Sequence, residues 1–106
     1  MAWLILIVAG MFEIAWAVGL KFTNGLTRFW PSVLTVTGGL VSFALLAQAA
    51  KSLPIGTAYA VWTGIGAVGT ALLGMILFDE PRYGVRLACI LLIVMGIAGL
   101  RLSSSQ

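Results

Sequence analysis

Four long apolar stretches, separated by short clusters of charged or turn-forming residues, fill almost the whole chain of 106 residues. Only 8% of the residues are charged and 61% are hydrophobic, whereas soluble domains carry about 25% charged residues. A helix that spans a bilayer needs about 20 mostly apolar residues, so four spans use about 80 positions and leave only short loops. We therefore predict an all-α membrane protein in which residues 1–106 form a single domain of four transmembrane helices.

Charges and prolines set the expected limits of these helices. Lys21 follows the first apolar run, Pro31 suits the first turn of the second helix, and Pro54 opens the third. Asp79 and Glu80 stand beside arginines and outside the apolar spans, so we expect solvated charges at the membrane interface. The predicted helices cover about residues 2–20, 31–50, 53–78 and 85–102.

The remaining composition narrows the function classes. The net charge is +3, but every charged residue except Glu13 flanks an apolar run, which indicates membrane boundaries rather than a nucleic-acid surface. The chain has no histidine and one cysteine, Cys89, so a Cys/His metal site or a disulfide cannot be built within the monomer. We expect no nucleic-acid partner, no metal and no cofactor.

Glu13 is the exception to the apolar pattern, because it lies well inside the first helix. An ionised acid at mid-bilayer costs about 2.5–3.5 kcal/mol on insertion scales, and such residues usually face a cavity or a transport pathway. Helical spacing puts Trp16 one turn after Glu13 and Gly10 one turn before it. Glu13 therefore lies between an aromatic wall and a gap, and we predict that it binds the substrate.

Further polar and aromatic residues are expected to line the same pocket. Tyr59, Trp62 and Thr63 share a face of the third helix, and Ser42 of the second helix can point toward them. A carboxylate among aromatic faces and hydroxyls suits an organic cation, through ion pairing and cation–π contact. Guanidinium fits best, because two carboxylates can each accept a bidentate pair of hydrogen bonds from it. The alternative is that Trp16 and Trp62 are interfacial belt residues.

Glycines suggest a moving part and a contact surface. Gly64 and Gly66 are a candidate hinge in the third helix, although glycine in a membrane helix is also a packing notch. Gly96 and Gly99 offer narrow positions where a second copy can pack against the fourth helix. A homodimer would bring two Glu13 carboxylates together, and protons would then compete with cations for one site. Such competition is sufficient for a proton-coupled exchanger.

The distribution of basic residues favours insertion in two orientations. Four of the six bases lie in the first and third loops and two, Lys51 and Arg101, lie on the other side, a difference of only two charges. Because basic residues set orientation, so small a bias allows antiparallel pairing, which would supply the inverted repeat that larger transporters encode in one chain. A parallel dimer is the alternative.

The chain resembles a known family over essentially its whole length. Two segments carry the most specific part of this resemblance: residues 12–21, which contain Glu13 and Trp16, and residues 54–66, which contain Tyr59 and Trp62. They resemble the small multidrug resistance (SMR) transporters, and within them the guanidinium exporter (Gdx) subtype. The resemblance implies a multi-pass protein of the bacterial inner membrane that is not an enzyme and assembles as an antiparallel, dual-topology homodimer. It also implies that guanidinium is exported for protons at Glu13, with Trp16, Ser42, Tyr59 and Trp62 around it.

Two other functions compete with this interpretation. One is a broad exporter of quaternary ammonium or hydrophobic drug cations, which would need a looser pocket than the residues around Glu13 indicate. The other is a subunit without transport activity that stabilises a larger membrane complex, in which Glu13 would pair with a base of its partner.

Overall fold

The protein, described by a computed structural model over residues 1–103, consists of four α-helices. Helix α1 runs over Ala2–Phe22, α2 over Phe29–Ala49, α3 over Ile55–Leu77 and α4 over Gly84–Ser103. Each has 20 to 23 residues and is long and apolar enough to cross a membrane, since the rise of 1.5 Å per residue gives about 30–35 Å. The prediction of an all-α protein with four transmembrane helices is confirmed.

Helix α2 begins at Phe29, two residues before the proline at which we expected it to open. Arg28 precedes it with an extended backbone, φ −88° and ψ 127°, and acts as the N-cap. Pro31 is therefore the third helical residue. The first four amides of a helix have no acceptor within the helix, so the missing N–H of a proline costs little there.

In the order α2, α1, α3, α4, neighbouring helices pack against each other, and α2 also contacts α3. Helix α1 packs along both α2 and α3, while the backbone of α4 approaches only that of α3. Arg101 of α4 reaches α1 through its side chain, with its guanidinium 5.1 Å from the centre of the Trp3 ring. The Cα atoms span 43 × 34 × 16 Å. The protomer is therefore flat, with its smallest dimension less than half of each of the other two.

Glycines allow α1 and α3 to approach each other closely. Gly10 of α1 faces Ile65 of α3, where an added Cβ would stand 2.5 Å from Ile65 Cγ2. Gly69 of α3 faces Ile14 of α1, and an added Cβ would overlap the isoleucine side chain. Membrane helices associate through such close packing, because lipid tails leave no hydrophobic force to drive them together. The contact between α1 and α3 thus depends on glycine in both helices.

The candidate hinge glycines both serve as packing notches in this conformation. Helix α3 continues through Gly64 and Gly66 without a break. Gly64 lies against α4, where an added Cβ would be 2.9 Å from Ile97 Cδ1. Around Gly96 and Gly99, in contrast, an added Cβ would meet nothing within 4 Å in the described chain. The hinge in α3 and the dimer contact on α4 stay predictions.

We expect Gly69→Ala to destabilise the protein by about 1–3 kcal/mol, because the methyl group overpacks the contact with Ile14. Gly56→Ala is the matched control in the same helix, since an added Cβ there meets nothing within 4 Å and alanine favours helix over glycine. Unfolding of the purified protein in detergent would measure the difference. Equal stability of the two variants would show that α1 and α3 are not held at this distance.

Candidate functional site

Glu13 is half-buried in α1 and has contacts on two sides. The indole Nε1–H of Trp16, one turn later, donates a hydrogen bond to Glu13 Oε1 at 2.5 Å. The aliphatic part of Glu13 packs on Gly66 of α3, where a side chain would overlap Glu13 Cγ. The carboxylate is therefore held between an aromatic donor in its own helix and a notch in the neighbouring helix.

The ring of Trp16 lies between helices of the protomer. The ring lies on Gly39 of α2, where an added Cβ would stand 3.6 Å from the indole carbons, and the Trp16 Cβ lies on Gly38. The side chain of Trp16 is therefore in van der Waals contact with α2. The ring of Trp16 is thus packed between α1 and α2, beside the carboxylate to which its N–H donates.

Ser42 joins three helices through two hydrogen bonds. Its side chain is fully buried, and its hydroxyl donates to the carbonyl oxygen of Ala9 in α1 at 2.7 Å. The same oxygen accepts the Nε1–H of Trp62 in α3 at 2.8 Å. Because a hydroxyl can donate one bond and accept others, Ser42 satisfies two buried polar groups and fixes the indole of Trp62.

Aromatic rings extend the site around Trp62. The ring of Tyr59 lies 5.7 Å from that of Trp62, and the ring of Phe43 lies 6.4 Å from it. Tyr59 is 55% exposed in the single chain, so its ring is available to a ligand or to a second copy. Thr63, which we also predicted for the pocket, donates its hydroxyl hydrogen to the Tyr59 carbonyl of its own helix at 2.8 Å.

The predicted residues form two hydrogen-bonded clusters within residues 1–103, one containing Glu13 and Trp16 and the other containing Ser42 and Trp62. The two tryptophans line one cleft of about 380 Å³ between α1, α2 and α3. The clusters thus meet at this cleft through their indoles. Gly10, also predicted for the pocket, packs on Ile65 of α3.

Glu80 is not the freely solvated charge that we expected. Its carboxylate accepts a hydrogen bond from Arg86 at 2.8 Å, and the side chains are only 39% and 33% exposed. The connection folds back because the Glu80 amide donates to the Gly74 carbonyl at 3.3 Å, and the carboxylate then lies over Gly74. The sequence feature that allows this position of Glu80 is the glycine at position 74, which leaves space for the acid at the end of α3.

Comparisons with known proteins agree on one family. The model of the family described as Small Multidrug Resistance protein matches residues 1–93. Proteins named guanidinium exporter align over 104 residues, with 61% identity in Escherichia coli (strain K12), 56% in Proteus vulgaris and 54% in Salmonella typhimurium. Each alignment covers 98% of this chain and at least 99% of the relative.

We expect Ser42→Ala to lower the free energy of unfolding by about 1–3 kcal/mol, because the Trp62 N–H loses its acceptor in a buried position. Ser32→Ala, in the same helix, is the matched control, since the Ser32 hydroxyl is buried without a hydrogen-bond partner in the described residues. Unfolding followed by tryptophan fluorescence would compare the two. A loss in Ser32→Ala as large as in Ser42→Ala would argue against the bond between Ser42 and Trp62.

Proposed function

The chain belongs to the small multidrug resistance family, and we propose that it exports guanidinium and small substituted guanidiniums in exchange for protons. It is an integral multi-pass protein of a bacterial inner membrane and a transporter, not an enzyme. The observation that carries the proposal is the Glu13 carboxylate, half-buried within a membrane helix and bonded by Trp16. Relatives named guanidinium exporter, aligned over almost their full length, support the choice of substrate.

The chemistry around Glu13 suits a planar cation with several N–H donors. A carboxylate has about four lone-pair sites, so Glu13 can hold the Trp16 indole and still accept hydrogen bonds from a guanidinium ion. The faces of Tyr59 and Trp62 add cation–π attraction, which is stronger where water is excluded. Ser42 holds Trp62 in place, so that its ring is oriented before the cation arrives.

A second copy is needed to complete the site that we propose. One protomer leaves Glu13 only half-buried and Tyr59 55% exposed, so it does not surround the proposed cation with protein. One chain also supplies only one intramembrane acid, Glu13. In an antiparallel homodimer the two copies face each other and contribute two carboxylates, with Gly96 and Gly99 of α4 in the contact between copies.

Exchange follows from competition for this pair of carboxylates. When protons bind the Glu13 pair, the charge that attracts guanidinium is lost and the cation leaves. When guanidinium binds, the protons leave. We propose that the loaded dimer alternates between two mirrored conformations, one open to each side of the membrane, and that α3 bends at Gly64 and Gly66 between them. The proton gradient then drives export.

The alternative is export of quaternary ammonium or hydrophobic drug cations, which the description of the matching family as a multidrug resistance protein favours. Such cations have no N–H donors, so they would bind through charge and aromatic contact alone. Competition between labelled guanidinium and a panel of these cations in proteoliposomes would separate the two functions. Transport by the purified protein alone would exclude a role as a non-transporting subunit.

We expect Glu13→Gln to abolish exchange, because the amide keeps the shape of the side chain but neither attracts a cation nor takes up and releases a proton. Asp79→Asn is the matched control, since Asp79 is an exposed acid in the loop before α4. Both variants would be reconstituted, and guanidinium uptake driven by a pH gradient would be measured. Uptake by Glu13→Gln at the level of Asp79→Asn would contradict the mechanism.

We also expect the chain termini on both sides of the membrane in comparable amounts, because the basic residues differ by only two between the two sides. A single cysteine placed next to the N-terminus in a Cys89→Ala background can be labelled with an impermeant reagent in intact cells and again after lysis. Labelling of about half of the chains before lysis is the expected result. One orientation in all molecules would rule out the antiparallel homodimer.

A further inference from the structure

An apolar groove lies between α1, α3 and α4. Its volume is about 500 Å³, within the range of about 300–1,000 Å³ that ligand sites in proteins have. Gly69 of α3 and Ala98 of α4 line it, and their small size contributes to the open space. The other residues that line the groove are hydrophobic, except Arg101 at one end. The groove therefore suits a long apolar ligand.

The groove extends from one membrane interface to about the middle of the bilayer. Trp3 and Arg101 line its outer end, and they lie at the start of α1 and the end of α4, on the same side of the membrane. Ile14, eleven residues after Trp3, lines its inner end. At a rise of 1.5 Å per residue the distance is about 16 Å, about half of the roughly 30 Å hydrocarbon core. The groove thus has the length of an acyl chain in one leaflet.

Helical spacing places the groove away from the surfaces that we assign to the substrate and to a second copy. Val61 follows Tyr59 by two residues on α3, and Arg101 follows Gly99 by two residues on α4. Val61 and Arg101 line the groove. Because two residues turn a helix by about 200°, the groove lies on the opposite side of both helices. In the dimer that we propose, the groove therefore faces lipid.

Arg101 supplies a cation at the outer end of the groove. Its guanidinium lies 5.1 Å from the centre of the Trp3 ring, and tryptophan is typical of the headgroup level of a membrane. The Arg101 side chain is exposed, and the one salt bridge within residues 1–103 joins Arg86 to Glu80. A planar guanidinium matches a phosphate group through paired hydrogen bonds. Arg101 can therefore bind a phosphate in the headgroup region.

The charges on this side of the membrane favour a headgroup with a net negative charge. None of the three acidic side chains of the protein lies there: Glu13 is within α1, and Asp79 and Glu80 are in the connection between α3 and α4. Lys51, in the connection between α2 and α3, adds a second base. The amine of a zwitterionic headgroup would thus find no acidic side chain, and a transported cation would be repelled.

We propose that this groove binds one anionic phospholipid, with the phosphate on Arg101 and one acyl chain along the groove. The proposal goes beyond transport and does not depend on which cation the protein exports. Ile14 and Ile65, which pack on glycines across the contact between α1 and α3, both line the groove. The acyl chain therefore covers this contact on its lipid side. In an antiparallel dimer the two sites lie in opposite leaflets.

Binding of dioleoyl phosphatidylglycerol to the delipidated, full-length protein in detergent tests the headgroup contact. Native mass spectrometry would measure the fraction of protomers that retain one lipid. We expect Arg101→Gln to lower the affinity about tenfold, because a charge-assisted pair of hydrogen bonds is lost. Lys51→Gln removes a base on the same side of the membrane but outside the groove, so it is the matched control. Dioleoyl phosphatidylcholine should bind more weakly, and inorganic phosphate should not displace the bound lipid.

Ala98→Leu tests the contact with the acyl chain. The larger side chain fills the groove at an exposed position, so the lipid loses van der Waals contact with the groove walls. We expect the affinity for phosphatidylglycerol to fall several-fold. Ala47→Leu, at an exposed position of α2 outside the groove, is the matched control. Circular dichroism would show that each variant keeps its helical content.

A phosphatidylglycerol with a photoreactive diazirine halfway along one acyl chain locates the lipid on the unmodified protein, so this measurement does not depend on the folding of a variant. We expect crosslinks on α1, α3 and α4 and not on α2, which contributes no residue to the groove. Crosslinks spread equally over all four helices would indicate surrounding lipid without a site and would overturn the proposal. Equal affinities within either pair of variants would do the same, as would equal binding of phosphatidylcholine or displacement by phosphate.

Discussion

The close contact between α1 and α3 is the constraint on which the rest of the protein depends. Bulky side chains of one helix meet glycines of the other: Ile65 lies on Gly10, and Ile14 lies on Gly69. Glu13 occupies the same interface, because Gly66 leaves space for its side chain. A larger residue in α3 would push α1 away, and the acid would then face lipid. Glycine therefore determines both how the helices pack and where the acid lies.

Two tryptophans connect the interface between α1 and α3 to α2. Trp16 extends from Glu13 toward α2, and Trp62 extends from α3 to Ser42 on α2. Each indole uses its single N–H on one defined acceptor, so each ring has a fixed orientation. In the function that we propose, a cation would meet aromatic surfaces that are already in place, which would limit the side-chain entropy lost on binding. The aromatic residues would thus favour cation binding in two ways: through cation–π attraction and through rings whose orientation is already fixed.

Local geometry decided which parts of this arrangement were predictable. The four helices follow from the apolar runs, and the contact of Trp16 with Glu13 follows from a spacing of three residues on one helix. The sequence could predict that Ser42 points toward the same region as Trp62. It could not predict the hydrogen bond between them, because that bond depends on the rotation of α2 about its axis. The order of the helices and the fold-back of Glu80 depend on packing between distant segments and on the loop backbone, which the hydrophobic pattern does not encode.

The hydrogen bond between Trp16 and Glu13 also has a consequence for biogenesis. Helix α1 is synthesised first and enters the bilayer before the glycines of α3 exist, so the acid must be tolerated there without its later neighbours. Trp16 belongs to the same helix, so its hydrogen bond to the carboxylate requires no residue of α3. The indole that we propose for substrate binding can therefore also provide a hydrogen bond to Glu13 while α1 enters the membrane, before α3 is in place.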